Sequence, residues 1–228
     1  MTGALSSGLE ERLREVRERI AEAAGRAGRD PDDVTLIAVS KTQPAGAVLE
    51  AVNAGVTDFG ENRVQEGVAK SAEVAATESS FPLTWHFIGH LQTNKVRDAV
   101  RAFAILHSVD SERLLRAISN ACTTNTRVLI EVNVAAEPQK HGIAPAKLPE
   151  LLAVAGELPH VDVRGLMTVA PLASEPEFVR PVFRRLRELG QHHGLTEFSM
   201  GMTNDYEVAI EEGATFVRVG RALFGERS

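Results

Sequence analysis

Short apolar runs rich in Val, Ile, Leu and Phe recur along the 228 residues, and each is followed by a longer segment in which apolar residues recur at helical spacing. Gly, Pro, Asn and Asp separate these segments. Such alternation is typical of βα units around a parallel sheet. It predicts eight strands: Val34–Val39, Thr57–Phe59, Thr84–Phe87, Phe103–His107, Val128–Val132, Val163–Leu166, Glu197–Ser199 and Phe216–Val219.

The number of units favours a closed barrel over an open sheet. Eight strands and eight crossovers leave no unpaired edge in a barrel, whereas an open doubly wound sheet has two edges. We therefore predict an α/β fold, a single (β/α)8 TIM barrel over residues 9–228, with an extra N-terminal helix from about Leu9 to Ala27. Residues 1–8 are predicted to be disordered, and no linker rich in Pro, Ser or charge divides the chain.

The charge pattern removes several classes of partner. A formal net charge of −6 without a basic cluster does not favour nucleic acid. No apolar run reaches the roughly 18 residues that cross a bilayer, and the first residues lack a signal-peptide pattern. We therefore expect a cytoplasmic protein with no membrane partner. One cysteine, Cys122, excludes an intrachain disulfide, and the pair His86 and His90 lacks an evident third ligand, so no metal is expected.

Lysine is scarce in this chain, because only five of its 25 basic residues are lysines, at positions 41, 70, 95, 140 and 147. Lys41 directly follows the apolar run that ends at Ser40, and barrel enzymes place their active sites at the carboxyl ends of the strands. A neutral amine in that position can attack an aldehyde to form a Schiff base. The alternatives at this stage are a lysine that extends into solvent or that pairs with Glu61.

Two loops near the end of the chain have the character of a phosphate site. Ser199-Met200-Gly201-Met202-Thr203 offers a hydroxyl and backbone N–H groups after the seventh strand, and Gly220-Arg221 begins the last helix. The loops after strands seven and eight form the usual phosphate site of this fold. A phosphorylated ligand is therefore expected, while Arg218 either faces that ligand or pairs with Glu131.

Several segments together carry a family resemblance: Ala38-Val39-Ser40-Lys41-Thr42, Phe59-Gly60-Glu61-Asn62, Trp85-His86-Phe87-Ile88-Gly89-His90-Leu91-Gln92, His107-Ser108-Val109-Asp110-Ser111, Gly165-Leu166-Met167-Thr168, Ser199-Met200-Gly201-Met202 and Arg218-Val219-Gly220. Over about residues 9 to 225 the chain resembles the pyridoxal phosphate homeostasis protein family. The resemblance implies the barrel of the N-terminal domain of alanine racemase and the cofactor pyridoxal 5′-phosphate (PLP).

The resemblance also implies roles for individual residues. Lys41 would form the Schiff base with PLP, and Arg218 would face its pyridine nitrogen. The other implied contacts are a phosphate site and a pocket wall: Ser199, Met200, Gly201, Gly220 and Arg221 for the phosphate, and Asn62 and Met167 for the wall. The chain departs from the family pattern at Arg63, where Tyr is usual, and at Arg221, where Thr is common.

These residues favour a carrier over an enzyme. In alanine racemase a tyrosine is the second base, and the one tyrosine here, Tyr206, falls at the start of a predicted helix. A cationic Arg218 would keep the pyridine nitrogen unprotonated and weaken carbanion stabilisation. We therefore expect a monomer that holds PLP and buffers or delivers it to apo PLP-dependent enzymes, without major catalytic activity, as part of vitamin B6 homeostasis. The alternatives are a PLP-dependent amino-acid racemase or related enzyme, and a phosphate-binding module without Schiff-base chemistry.

Overall fold

Eight parallel strands close into a barrel in sequence order, each hydrogen-bonded to the next and β8 to β1. The computed structural model describes residues 3–77 and 82–225, with side chains from Gly8 onwards. The strands are β1 Thr35–Val39, β2 Asp58–Glu61, β3 Thr84–Phe87, β4 Ile105–Val109, β5 Thr126–Glu131, β6 Val161–Met167, β7 Glu197–Met202 and β8 Phe216–Val219. The predicted TIM barrel is confirmed.

Within those residues the helices alternate with the strands and cover the outside of the barrel. They are α1 Gly3–Arg26, α2 Ala45–Asn53, α3 Val64–Ala75, α4 Val96–Ala102, α5 Glu112–Ala121, α6 Leu148–Glu157, α7 Arg180–His192, α8 Tyr206–Glu211 and α9 Arg221–Phe224. Short 3-10 turns lie at Pro31–Asp33, Thr93–Lys95, Pro145–Lys147 and Pro176–Val179. No described helix combines the length and the apolar character that crossing a membrane requires.

The first helix lies outside the regular βα repeat and packs on the last two helices. Leu9, Leu13, Val16 and Ile20 recur at intervals of three and four residues and are buried, so they form one apolar face against α8 and α9. The helix begins at Gly3, and our predicted start at Leu9 was wrong. An interior glycine costs a helix only about 1 kcal/mol, which is too little for Gly8 to end it. Residues 1 and 2 of the segment that we predicted to be disordered lie outside the described residues.

Several strands extend beyond the carboxyl ends that their apolar residues predict, and β2 and β7 lie next to the cavity. Strand β2 extends through Gly60 and Glu61, and β7 continues past Ser199 to Met202. Alternate residues of a barrel strand point inward, where polar side chains are satisfied by one another, so a search for apolar runs ends such strands too early. This difference matters at β7 because it moves the following loop along the chain.

The barrel interior is packed and partly polar. A small apolar cluster of Ile37, Ile105, Leu129, Met167 and Phe216 fills its centre, separate from the larger core between strands and helices. Buried polar side chains, including His86, His107, Ser199 and Arg218, occupy other buried strand positions. One of these buried side chains, Arg218, also lines the cavity at the barrel mouth, so the polar interior is in contact with the candidate site.

Candidate functional site

A cavity of about 550 Å³ opens at the carboxyl ends of the strands. Five of the predicted site residues line it: Lys41, Asn62, Arg218, Gly220 and Arg221. The rest of the wall comes mainly from three segments, around Ile88–Gly89, Val169–Ser174 and Met202–Asp205. The cavity thus gathers groups from both ends of the described chain.

The other four predicted residues do not line this cavity. Met167 belongs to the interior apolar cluster, Ser199 is fully buried below Arg218, and Met200 packs in the outer core. Gly201 has φ +89, and a Cβ there would lie 2.6 Å from the Cβ of Ala209, so this glycine permits α8 to pack against β7. In their place the loop from Met202 to Asp205 reaches the cavity.

Lys41 lies just after the end of β1, and hydrogen bonds to the backbone of its two neighbours, Ser40 and Thr42, fix its position. Buried Lys70 donates from Nζ to the carbonyl of Ser40 at 2.7 Å, and the N–H of Thr42 donates to Glu66 Oε1 at 2.5 Å. Thr42 has φ +67, an unfavourable conformation for a non-glycine residue that these contacts stabilise. Lys41 Nζ itself has no hydrogen-bond or ion-pair partner in the part of the chain that the structure describes.

Glu61 does not pair with Lys41, which was one alternative that the sequence left open. Glu61 Oε1 accepts from Lys70 Nζ at 2.5 Å and from Ser40 Oγ at 2.8 Å. Burial raises the pKa of Glu61, although the hydrogen bonds from Lys70 and Ser40 act in the opposite direction. The buried carboxylate of Glu61 is therefore bound by a different lysine, and the Lys41 amine is left free to react.

Arg218 is buried, and hydrogen bonds from its own guanidinium group fix its position. Its Nη1 donates to Ser199 Oγ at 2.6 Å, and its Nη2 donates to the carbonyl of Thr168 at 2.8 Å. Burial lowers the pKa of Arg218 to about 10, although the carboxylates of Asp205 and Glu131 oppose that shift. Burial and the charge of Asp110 raise the pKa of Glu131 to about 7, against the influence of Arg218. The hydrogen bonds of Arg218 thus go to Ser199 and Thr168 instead of Glu131.

A chain of buried hydrogen bonds continues from Arg218 through the barrel. Ser199 Oγ lies 2.8 Å from His107 Nδ1, His107 Nε2 lies 2.9 Å from His86 Nδ1, and His86 Nε2 lies 2.9 Å from Asp58 Oδ1. Asp58 is at the beginning of β2, where its side chain is 21% exposed. We call these five residues, Asp58, His86, His107, Ser199 and Arg218, the interior chain.

The interior chain has one consistent direction of donation when both imidazoles are neutral. Burial raises the pKa of Asp58, but hydrogen bonds from His86 and Thr57 outweigh it, and the net effect lowers the pKa. An ionised Asp58 only accepts, so His86 Nε2 carries the proton and its Nδ1 accepts from His107 Nε2. His107 Nδ1 then accepts from the Ser199 hydroxyl, which itself accepts from Arg218. Every member is satisfied, and Arg218 is oriented by groups that reach the opposite end of the barrel.

The loop after β7 and the first turn of α9 present backbone donors to the cavity. Asp205 Oδ1 accepts the Met202 N–H at 2.6 Å, and this contact shapes the loop. The N–H groups of Thr203 and Asn204 have no partner among the described residues, and the first N–H groups of α9 have none within their helix. Burial raises the pKa of Asp205, although the hydrogen bond from the Met202 N–H and the charge of Arg218 act in the opposite direction. The arrangement suits a bound anion such as a phosphate.

Sequence reasoning missed the groups that support the site. It treated His86 as a weak zinc candidate paired with His90, whereas His86 is buried in the interior chain. A histidine in the middle of an otherwise apolar strand was the available signal, and both His86 and His107 show it. For Lys70, the signal was its helical i, i+4 spacing from Glu66.

The fold and cavity define the class of this protein. The family model described as "Alanine racemase, N-terminal domain" matches residues 12–228. Alanine racemase from Corynebacterium glutamicum shares the fold with a TM-score of 0.70 at 17% identity, and the match covers 97% of this chain and 62% of that chain. The chain is therefore an α/β barrel of the alanine racemase N-terminal domain class.

Two full-length likenesses narrow the class. The pyridoxal phosphate homeostasis protein of Pseudomonas aeruginosa is 46% identical over 226 residues, which cover 97% of this chain and 96% of that protein. The solved structure of PipY from Synechococcus elongatus with PLP bound is 40% identical with a TM-score of 0.79, covering 95% of this chain and 100% of that chain. The chain belongs to the pyridoxal phosphate homeostasis protein family, and the resemblance seen in its sequence is confirmed.

Proposed function

We propose that this protein binds PLP, holds it as a Schiff base on Lys41, and buffers or delivers it within vitamin B6 homeostasis without major catalytic activity. The observation that carries the proposal is the unpartnered Lys41 Nζ at a cavity that also contains Arg218 and two sets of free backbone donors. The PLP bound in the solved structure of PipY, a relative at 40% identity, supports it.

The donor set of the cavity fits the three polar groups of PLP. An amine is the partner that an aldehyde requires, and Lys41 offers it. Backbone N–H groups of Thr203, Asn204 and the first turn of α9 suit the phosphate. Arg218, an obligate donor, suits a pyridine nitrogen that carries no proton. We therefore assign the phosphate to the loop at Thr203–Asn204 and to Gly220–Arg221, with Asn62 on the wall.

The residues around the cavity also bear on the choice between carrier and enzyme. When bound, PLP supplies an electron sink whose strength depends on a protonated ring nitrogen, and a cation at that position opposes protonation. Tyr206 packs under Arg19 of α1 and is 1% exposed, so it does not reach the cavity as a second base. Among the described residues, Asp205 is the carboxylic acid on the cavity wall. Its Oδ1 already accepts a hydrogen bond from the Met202 N–H, so it is not positioned as a free second base.

The visible spectrum of the purified protein tests the covalent part of the proposal. We expect a Schiff-base band, and borohydride reduction followed by mass spectrometry should find a pyridoxyl group on Lys41. Lys41→Arg keeps the charge but removes the reactive amine, so the band should vanish, while Lys147→Arg at an exposed lysine should retain it. A band that persists in Lys41→Arg would contradict the proposal, and PLP-dependent stabilisation without any band would leave a phosphate-binding module.

Exchange of the α-proton of amino acids in deuterated solvent tests the alternative of a racemase. We expect no Lys41-dependent exchange across a panel of small amino acids. If the wild type exchanges the α-proton and Lys41→Arg does not, the protein is an enzyme and the carrier proposal is wrong.

Delivery is tested by mixing the PLP-loaded protein with an apo PLP-dependent enzyme. The cavity is open to solvent, and Leu172 on its wall is 95% exposed, so an acceptor can approach the mouth. We propose a cytoplasmic monomer in this role. Recovery of enzyme activity should exceed that given by an equal amount of free PLP when a scavenger of free PLP is present. Equal recovery would limit the function to buffering.

The proposed monomeric state is tested separately, by light scattering after size-exclusion chromatography.

A further inference from the structure

Three side chains with metal-binding atoms converge at the rim of the barrel mouth, beside the PLP cavity. His90 follows β3, Asp110 follows β4, and His141 lies in the loop between β5 and α6. Each offers one ligand atom, and these atoms all lie within 4.8 Å of one another. We propose that His90, Asp110 and His141 form a binding site for a zinc-type divalent transition metal.

The distances between the side chains are close to those of a metal site. His90 Nδ1 lies 3.5 Å from Asp110 Oδ2, and the rings of His90 and His141 stack with centroids 4.1 Å apart and an angle of 12° between their planes. Tetrahedral zinc with bonds of about 2.0 to 2.1 Å requires ligand atoms about 3.3 Å apart. Stacked rings direct their nitrogen lone pairs along parallel planes, so a shared ion requires one of the two rings to turn out of the stack. Both histidines are exposed, so this rotation does not disturb the core.

The backbone that carries these side chains is held in place. Ser108 donates from Oγ to the carbonyl of Gly89, and this contact connects the loop of His90 to the end of β4 just before Asp110. The loop of His141 is joined to β5 by hydrogen bonds from the Ile143 N–H to Glu131 and from the Asn133 N–H to Ile143, at 2.8 and 2.9 Å. The three ligands are thus presented by ordered backbone and not by free ends.

The ligand set indicates which ions the site prefers. Two imidazoles and one carboxylate suit Zn²⁺ and its neighbours, whereas Mg²⁺ and Ca²⁺ prefer oxygen ligands alone. Three protein ligands leave at least one coordination position for water or an anion. A bound ion would attach the β5–α6 loop to the ends of β3 and β4. Gly89, the neighbour of His90, lines the cavity, so that attachment would stiffen part of the cavity rim.

Calorimetric titration of the full chain with Zn²⁺, after removal of metal by a chelator, tests the site. We expect about one ion per chain, and affinity at least about tenfold weaker in His141→Ala and in Asp110→Asn, which is the low end of the loss caused even by changes around metal ligands. The double variant His192→Ala/His193→Ala removes two adjacent histidines at the end of α7 that are not part of the cluster. It is the matched control, and its affinity for Zn²⁺ should equal that of the wild type.

Two further measurements exclude other sources of binding. Zn²⁺ titration of Lys41→Arg, which cannot retain PLP covalently, should give the same affinity, because the ion is held by the cluster and not by the cofactor. Co²⁺ should give a d–d absorption band that disappears in His141→Ala, and thermal melting should show that this variant remains folded. The proposal is overturned if the wild type does not bind Zn²⁺, if His141→Ala or Asp110→Asn weakens it less than tenfold, or if the control or Lys41→Arg loses it.

Discussion

Lys41 and Arg218 face the same cavity from neighbouring strands, β1 and β8, but they are supported in different ways. Arg218 is buried and held by hydrogen bonds from its own guanidinium to Ser199 and Thr168. Lys41 is held only through the backbone, by Lys70 and Glu66, and its amine has no partner among the described residues. Arg218 must remain charged and immobile, and hydrogen bonds from its own side chain fix it. Lys41 must react, and the hydrogen bonds that position it are made by the backbone of its neighbours Ser40 and Thr42.

The supporting networks differ in kind as well. Under Lys41 the supporting groups are ionic, with buried Lys70 between buried Glu61 and partly exposed Glu66. Under Arg218 they form a chain of hydrogen-bonded imidazoles that ends on Asp58. Loss of one partner from an ionic cluster leaves an uncompensated charge, while loss of one imidazole leaves only unpaired hydrogen-bonding groups, which cost less.

Removal of the charge at Lys70 gives the largest expected loss of stability. Lys70→Met leaves the buried Glu61 carboxylate unpaired, and we expect the free energy of unfolding in urea to fall by about 3 to 5 kcal/mol. The double variant Lys70→Met/Glu61→Gln should recover part of this loss. Lys147→Met, at an exposed lysine, is the control and should change stability by less than about 0.5 kcal/mol. If the double variant were no more stable than Lys70→Met, the ionic account of this network would be wrong.

Interruption of the interior chain should have a smaller effect. His107→Leu removes one buried hydrogen-bond partner from each of Ser199 and His86, and we expect a loss of about 1 to 3 kcal/mol in the same urea experiment. His192→Leu, at the exposed end of α7, is the matched histidine control. A loss at His107 as large as that at Lys70 would contradict the distinction between the two networks.

The stability that His107 contributes should depend on pH. Burial, assisted by the charge of Arg218, lowers the pKa of His107 well below its usual value. The unfolded chain then binds a proton below about pH 6.5 that the folded chain does not, so stability falls as the pH falls, by up to about 1.4 kcal/mol per pH unit. The advantage of wild type over His107→Leu should therefore shrink between pH 7.5 and pH 5.5. A constant difference across that range would show that His107 titrates alike in both states.

The smallest change in stability is expected at the residue with the largest functional effect. Lys41→Met removes no hydrogen bond or ion pair from the described structure, so the free energy of unfolding should change by less than about 0.5 kcal/mol. The same variant should lose the Schiff-base band completely. A destabilisation as large as that of Lys70→Met would mean that Lys41 has a structural partner.

The fold could be predicted from sequence because each βα unit shows its own periodicity, and because eight units leave no strand edge. Lys41 could be predicted since it ends an apolar strand. The interior chain could not, because Asp58, His86 and Ser199 are far apart in sequence and only the closed barrel brings them together. Ser199, Met200 and Gly201, the residues predicted to contact the phosphate, do not line the cavity. Strand β7 continues to Met202 and shifts register against β8 between Ser199 and Met202, so that Thr203 and Asn204 are the residues of the following loop that reach the cavity.

Closure of the barrel has a consequence for the time at which the protein can fold. Strand β1 pairs with β8 through Thr35 and Phe216, and Arg12 of α1 donates from Nε to the carbonyl of Leu223 at 2.7 Å. Segments of the barrel that the ribosome makes early therefore complete their contacts with segments that it makes later. Until β8 emerges, β1 and β7 are exposed edges that can pair with other chains. Such long-range contacts also slow folding. A nascent chain halted before Phe216 would therefore remain a target for chaperones, and the emergence of β8 would be the step that allows the barrel to close and the cavity to form.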